Sequence, residues 1–191
     1  MKNKGKPQGI IEKINKIFTV PLAKRLSQYD FITPNRITLL SAVFGFIGAL
    51  FIILKWYPTS ALAILLGALL DSLDGDIARE KRMASPKGAL LDAVLDRYVD
   101  LACLFALTYA TKQFLLGFAA ILGSTLVPYI RARAETHGLK AARTIGSRDT
   151  RNFILFLGLI LSRPVITLIL IAVLSNFSAL HRLYAAIKEE N

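Results

Sequence analysis

"LLGALLDSLDGDIAREKRMASPKGALLDAVLDRYVD", residues 65–100, is the stretch on which the fold turns. It opens as apolar as a bilayer-crossing helix and then places Asp71, Asp74 and Asp76 on that same helix. A carboxylate deep in hydrocarbon costs about 2.5–3.5 kcal/mol even on a lenient insertion scale. The next apolar run repeats the offence with Asp92, Asp96 and Asp100. Asp71 and Asp74 are spaced i,i+3, and Asp92 and Asp96 are spaced i,i+4, so each pair shares one helical face. Two antiparallel neighbours joined by a short connection can turn those faces toward each other. Four carboxylates gathered in this way repel one another. One divalent cation resolves the conflict, and two resolve it better. Oxygen donors without His or Cys select Mg2+, Mn2+ or Ca2+ over zinc.

Outward from this stretch the chain is an alternation of apolar runs and basic connections. Of its 191 residues 54% are hydrophobic, and the mean hydropathy is +0.50. Six apolar segments run from 37 to 54, 60 to 78, 89 to 110, 114 to 130, 152 to 161 and 164 to 180. The fifth is short for a bilayer and needs its flanking residues to span. Basic residues crowd the N-terminal arm, the second-to-third connection (Arg79, Lys81, Arg82, Lys87) and the fourth-to-fifth (Arg131, Arg133, Lys140, Arg143, Arg148, Arg151). The alternate connections hold only Lys55, Lys112 and Arg163. The expectation is therefore an all-α, polytopic protein of the cell membrane with six transmembrane helices and both termini cytoplasmic. Trp56 and Tyr57 suit the opposite interface.

A net charge of +11 could speak for nucleic acid. Its confinement between apolar runs speaks instead for anionic lipid headgroups and phosphorylated substrates, and no nucleic-acid partner is expected. The single cysteine, Cys103, lies inside an apolar run, which leaves no intrachain disulfide and a packing role. The basic N-terminus is followed by no simple apolar run with a small-residue cleavage site, so no cleaved signal peptide is expected. Ile10, Ile14 and Ile17 share a helical face; Pro21 interrupts the pattern, and Leu22 and Leu26 resume it. Residues 1–32 thus read as an arm carrying a broken amphipathic helix on the cytoplasmic surface, a soluble partner helix being the alternative. Residues 33–191 read as the membrane domain, entered through the turn "TPNRIT" at 33–38.

Gly75 and Gly88 stand beside the acidic pairs. A mid-helix glycine costs about 1 kcal/mol, so each is expected to admit a close neighbour, either a helix or a ligand. For Gly45, Gly48 and Gly67 helix packing is the better account. Arg79 is expected to meet a phosphate or a carboxylate rather than merely to reach the interface. Asp76 lies roughly 140° around the helix from Asp71, which gives it a structural or interfacial role. Asp100 shares the face of Asp92 and Asp96 one turn deeper and is expected to be hydrogen-bonded there.

The full spacing, Asp71-x2-Asp74-Gly75-x2-Ala78-Arg79-x8-Gly88-x3-Asp92-x3-Asp96, resembles without gap or substitution the signature of the CDP-alcohol phosphotransferase family. The resemblance extends from Thr33 to Arg182. It implies a homodimer of six-helix subunits in which the motif holds two metal ions and the diphosphate of CDP. By that resemblance Asp71, Asp74, Asp92 and Asp96 are the metal ligands. Asp96 is also the catalytic base, with ligation alone as the alternative. Asp71, Asp74, Gly75, Ala78, Arg79 and Gly88 receive the CDP-alcohol. The cofactors are two divalent cations, Mg2+ or Mn2+.

"YIRARAETHGLKAARTIGSRDTRNFI", residues 129–154, resembles the branch that uses inositol phosphate as acceptor. Arginine grips a phosphate through paired donors better than lysine does. By the resemblance Arg131, Arg133, Arg148 and Arg151, with Arg182 on the last helix, hold the acceptor phosphate. Arg131 stands where that branch commonly has lysine, and "GSRDTR" lacks its usual proline. The alternative for these arginines is headgroup anchoring, and His137 and His181 read as interface residues. The expected reaction moves a phosphoalcohol from a CDP-alcohol (CDP-diacylglycerol, its archaeal ether equivalent or CDP-inositol) to a polyol phosphate, releasing CMP. Membrane lipids are the remaining partners. A membrane prenyltransferase using magnesium diphosphate, or a divalent-cation transporter with an intramembrane acidic site, are the competing readings.

Overall fold

A computed structural model describes residues 19–139 and 148–188, and they are helical throughout apart from short turns. Residues 19–26 form α1, with Pro21 carried inside it. Then follow α2 (Pro34–Ile53), α3 (Tyr57–Glu80), α4 (Pro86–Thr111), α5 (Phe114–Thr136), α6 (Arg148–Ile160) and α7 (Pro164–Lys188). Ile10, Ile14 and Ile17 of the expected amphipathic arm lie outside the described residues.

Proline marks four of the starts. Pro34, Pro58, Pro86 and Pro164 sit in the first turn of α2, α3, α4 and α7, where a missing N–H costs nothing. Ser85 caps α4 by accepting from Gly88 N at 3.1 Å. The tight connections are closed by residues in the left-handed region, Lys55, Arg82, Lys112 and Ser162.

Small residues allow the helices to approach. A methyl group on Gly67 would stand 3.1 Å from the Ser41 carbonyl, and one on Gly48 would strike the Ile64 side chain, so α2 and α3 cross closely. Gly45 gives the same room to Val99 of α4. Polar groups inside the bundle bond locally: Ser60 Oγ donates to the Gly48 carbonyl at 2.8 Å, and Ser124 and Ser175 meet at 3.2 Å. Large apolar side chains also face outward, among them Phe46 and Leu50 on α2, Phe105 on α4, Leu115 and Phe118 on α5, and Val173 and Phe177 on α7, around a core that includes Ile52, Leu107, Leu159 and Leu168. Large apolar surface on the outside, with glycines and hydroxyls at the helix contacts, suits helices that have lipid as solvent. α2, α5 and α7 are each long and apolar enough to cross a membrane. The protein is a multi-pass membrane protein.

α2 lies against both α3 and α4, whose acidic ends face each other across a gap, as their spacing leads one to expect. Like charge on both faces disfavours direct packing there. One expectation needs correcting: Arg148 and Arg151, expected in the fourth-to-fifth connection, lie in helix, on α6. Hydropathy marks where a helix meets apolar surroundings, not where its hydrogen bonds begin.

Candidate active site

The acidic ends of α3 and α4 face each other across that gap. Asp71, Asp74 and Asp92 each offer a carboxylate oxygen within 4.8 Å of the others. Asp92 Oδ1 is buried and accepts no hydrogen bond among the described residues. A buried carboxylate oxygen without a donor is costly unless a cation meets it, so these residues fit a divalent metal ion. Asp74 is 7% exposed and receives the Thr38 hydroxyl at 2.5 Å, which fixes its orientation from α2. Asp96 lies outside the trio and forms an ion pair with Arg148.

On one side of the trio is an open cleft lined by Asn35, Thr38, Asp74, Gly75, Ala78, Arg79, Gly88 and Asp92 among others. Every motif residue between Asp74 and Asp92 therefore opens on one space. A methyl group on Gly75 would meet nothing but the Arg79 guanidinium, at 3.8 Å, so its missing side chain enlarges the cleft rather than admitting a helix. At Gly88 a methyl group would come 3.3 Å from both Asn35 Oδ1 and Ser85 Oγ. Arg79 donates to Asp76 at 2.5 Å. On the other side of Asp71 a groove between α3 and α6 is lined by Leu65, Leu69, Phe153 and Phe156, with Arg148 and Asn152 at its polar end.

The five arginines fall into two groups. Arg148 reaches Asp71 at 3.3 Å and Asp100 at 3.8 Å in addition to Asp96, and Arg151 donates to Asp100 at 3.0 Å. These two are one turn apart on α6, so they share the face turned to α3 and α4. Both also line an internal cavity with Asp96, Asp100, Thr38 and Ser41. Arg182, 8% exposed, donates to the Val127 carbonyl at 3.2 Å and lies near enough to Arg131 and Arg151 for their charges to act on it. Arg131 and Arg133 are exposed on the last turns of α5, Arg131 paired with Glu135 at 2.9 Å. His137 is exposed, and His181 is exposed and stacks on Phe177.

Three contributors were not singled out by sequence reasoning. Thr38 orients Asp74, Asn35 lines the cleft, and Arg97 shares Asp100 with Arg151, at 3.0 Å. Thr38 and Asn35 belong to "TPNRIT", where a proline-started helix carrying a polar first turn was the available signal.

Carboxylates of α3 and α4 beside arginines of α6 form the polar centre of a membrane-helix bundle. The chain belongs to the CDP-alcohol phosphatidyltransferase family, whose sequence profile matches residues 31–181. It is 31% identical over 159 residues to archaetidylinositol phosphate synthase of Pyrococcus horikoshii, covering 82% of this chain and 85% of that one. It is 33% identical over 161 residues to a bifunctional IPC transferase and DIPP synthase of Rubrobacter xylanophilus, covering 81% of this chain but 37% of that protein. The chain thus spans well under half the length of such bifunctional relatives. The fold is similar to that of Mycobacterium tuberculosis phosphatidylinositol phosphate synthase. Its crystal structure with CDP-DAG bound matches with a TM-score of 0.80 at 26% identity, over 89% of this chain and 94% of that one. The crystal structure of the same enzyme with manganese and citrate matches at 0.81 and 27%, over 89% of each.

Proposed function

We propose that this chain is a transferase that moves the phosphoalcohol of a CDP-alcohol to the hydroxyl of inositol phosphate and releases CMP. The observation that carries the reading is the convergence of Asp71, Asp74 and Asp92 on one edge of a cleft lined by Gly75, Ala78, Arg79 and Gly88. Asp71, Asp74, Asp92 and Asp96 are the proposed ligands of two divalent cations, Mg2+ or Mn2+, and the manganese complex of the mycobacterial relative supports this. Bound there, such cations would neutralise the diphosphate and the departing CMP.

The chain's own residues supply the rest. Arg79 reaches into the cleft that would take the nucleotide end of the donor. The acceptor hydroxyl attacks the phosphorus that carries the alcohol. The bond from that phosphorus to CMP breaks, CMP leaves with the electron pair, and the hydroxyl proton passes to the Asp96 carboxylate. Arg148, Arg151 and Arg182 hold the acceptor phosphate through charge-assisted hydrogen bonds. Arg131 and Arg133, exposed at the entrance, draw the anion in. The apolar groove that meets Asp71 favours a donor with lipid chains over CDP-inositol.

Six spans with both ends cytoplasmic in the cell membrane, an arm over 1–32 and a membrane domain over 33–191 complete the reading. The support is the charge pattern, with α3, α4 and the short α6 crossing as parts of the bundle rather than as isolated apolar helices. A homodimer is proposed on the family resemblance, and the exposed stripe Leu90, Val94, Tyr98, Phe105 and Tyr109 of α4 is its candidate contact. In a Cys103→Ala background, Thr136→Cys should label only from the cytoplasmic side and Lys112→Cys only from the other; the reverse pattern contradicts the orientation. The function is tested with CDP-diacylglycerol in vesicles. CMP should appear with inositol phosphate and be far slower with free inositol, which leaves the buried arginines without their anion. Equal turnover of both would remove the acceptor assignment.

A further inference from the structure

Asp76 is outside the motif, yet it is as buried as Asp74, at 7% exposed. Both of its oxygens are taken. Oδ1 accepts from Arg79 at 2.5 Å, and Oδ2 accepts at 2.5 Å from the hydroxyl of Thr19, 57 residues earlier and 4% exposed. An i,i+3 pair between exposed side chains holds its arginine weakly. Here the carboxylate half is fixed, because burial and a second donor leave it one orientation. The Arg79 side chain itself is 63% exposed and lines the cleft.

Thr19 is not an isolated contact. Ala23, 2% exposed, is packed with Leu73 and Ile77 of α3, and Leu26 and Ile32 join the same cluster. Lys81, just past the end of α3, donates to the carbonyls of Tyr29 and Ile32 at 2.7 and 2.8 Å. The last two turns of α3 are thus held by residues 19–32 at three levels: around Leu73, at Asp76 and Ile77, and at Lys81. A long arginine on a free helix end samples many rotamers, and holding it in one geometry reduces what a ligand must order on binding.

We propose that residues 19–32 are a brace for the donor site, with Asp76 and Thr19 as positioning residues that set Arg79 for the diphosphate. This rests on the reading that the cleft beside Arg79 takes the CDP-alcohol. The test uses the full chain in vesicles with CDP-diacylglycerol and inositol phosphate. Asp76→Asn should raise the donor KM about tenfold and Thr19→Val about threefold, with acceptor KM and kcat unchanged. Thr19→Ser, which keeps the hydroxyl, should behave as wild type. In an Arg79→Gln background neither Asp76→Asn nor Thr19→Val should cost anything further, because the residue they act through is gone. Full additivity with Arg79→Gln, a Thr19→Ser variant as impaired as Thr19→Val, or parallel losses in both KM values would overturn the brace. If Asp76→Asn does not fold, the Thr19 pair decides alone. A donor KM unmoved by Arg79→Gln would instead overturn the donor reading, and the brace with it.

Discussion

The acidic and the basic halves of the site differ in how they are assembled. The aspartates come from α3 and α4, which are consecutive in sequence, within 26 positions from Asp71 to Asp96. The arginines come from α5, α6 and α7 and span 52 positions from Arg131 to Arg182. Spacing on a helix places a carboxylate relative to its neighbour at i+3 or i+4 whatever the rest of the chain does. No such rule relates Arg133 to Arg151 or Arg182. In the acidic half Asp71, Asp74 and Asp92 accordingly converge, while Asp96 pairs with Arg148. The basic half divides into Arg148 and Arg151 paired with the aspartates, Arg182 buried against the Val127 carbonyl, and two exposed arginines at the surface.

This division can be broken or sharpened by ranking variants. The largest loss belongs to Asp96→Asn, which removes the proposed proton acceptor and alters a proposed metal ligand; kcat should fall by about 10²–10⁴. A kcat within tenfold of wild type would leave Asp96 as a ligand only. Next come Arg151→Gln and Arg182→Gln. Each lost charge-assisted contact should cost about 1.5–3 kcal/mol, or roughly ten- to a hundred-fold in kcat/KM for inositol phosphate, with the donor KM nearly constant. A donor KM that rises instead would join these arginines to the acidic half. The smallest effects belong to Arg131→Gln and Arg133→Gln. Exposed charges contribute about 0.2–1 kcal/mol, so the acceptor KM should rise no more than about fivefold, and the change should vanish at high salt. A hundred-fold, salt-independent loss at either position would place it in the pocket with Arg182.

Legibility follows the same line. The apolar runs and the two acidic faces can be read from sequence because both depend on helical period alone. The pairing of Arg148 and Arg151 with carboxylates of α3 and α4 cannot, since Asp71 lies 77 residues from Arg148. Nor can the insertion of α2 between α3 and α4, because periodicity says which face is buried and not against what. Arg79 was open between a phosphate and a carboxylate; it has Asp76 and lines the cleft. Thr19, which fixes that carboxylate, carries no sequence signal at all, being one hydroxyl in a segment read for its amphipathic pattern.

The account depends most on the acidic half holding metal, and manganese binding measures that directly. Paramagnetic resonance of Mn2+ titrated into the purified full chain should show two ions bound per chain in the wild type. Asp92→Asn, which alters the carboxylate with the undonated oxygen, should bind one at most. Wild-type protein that binds no manganese, or that releases CMP at full rate after rigorous removal of divalent cations, would contradict it.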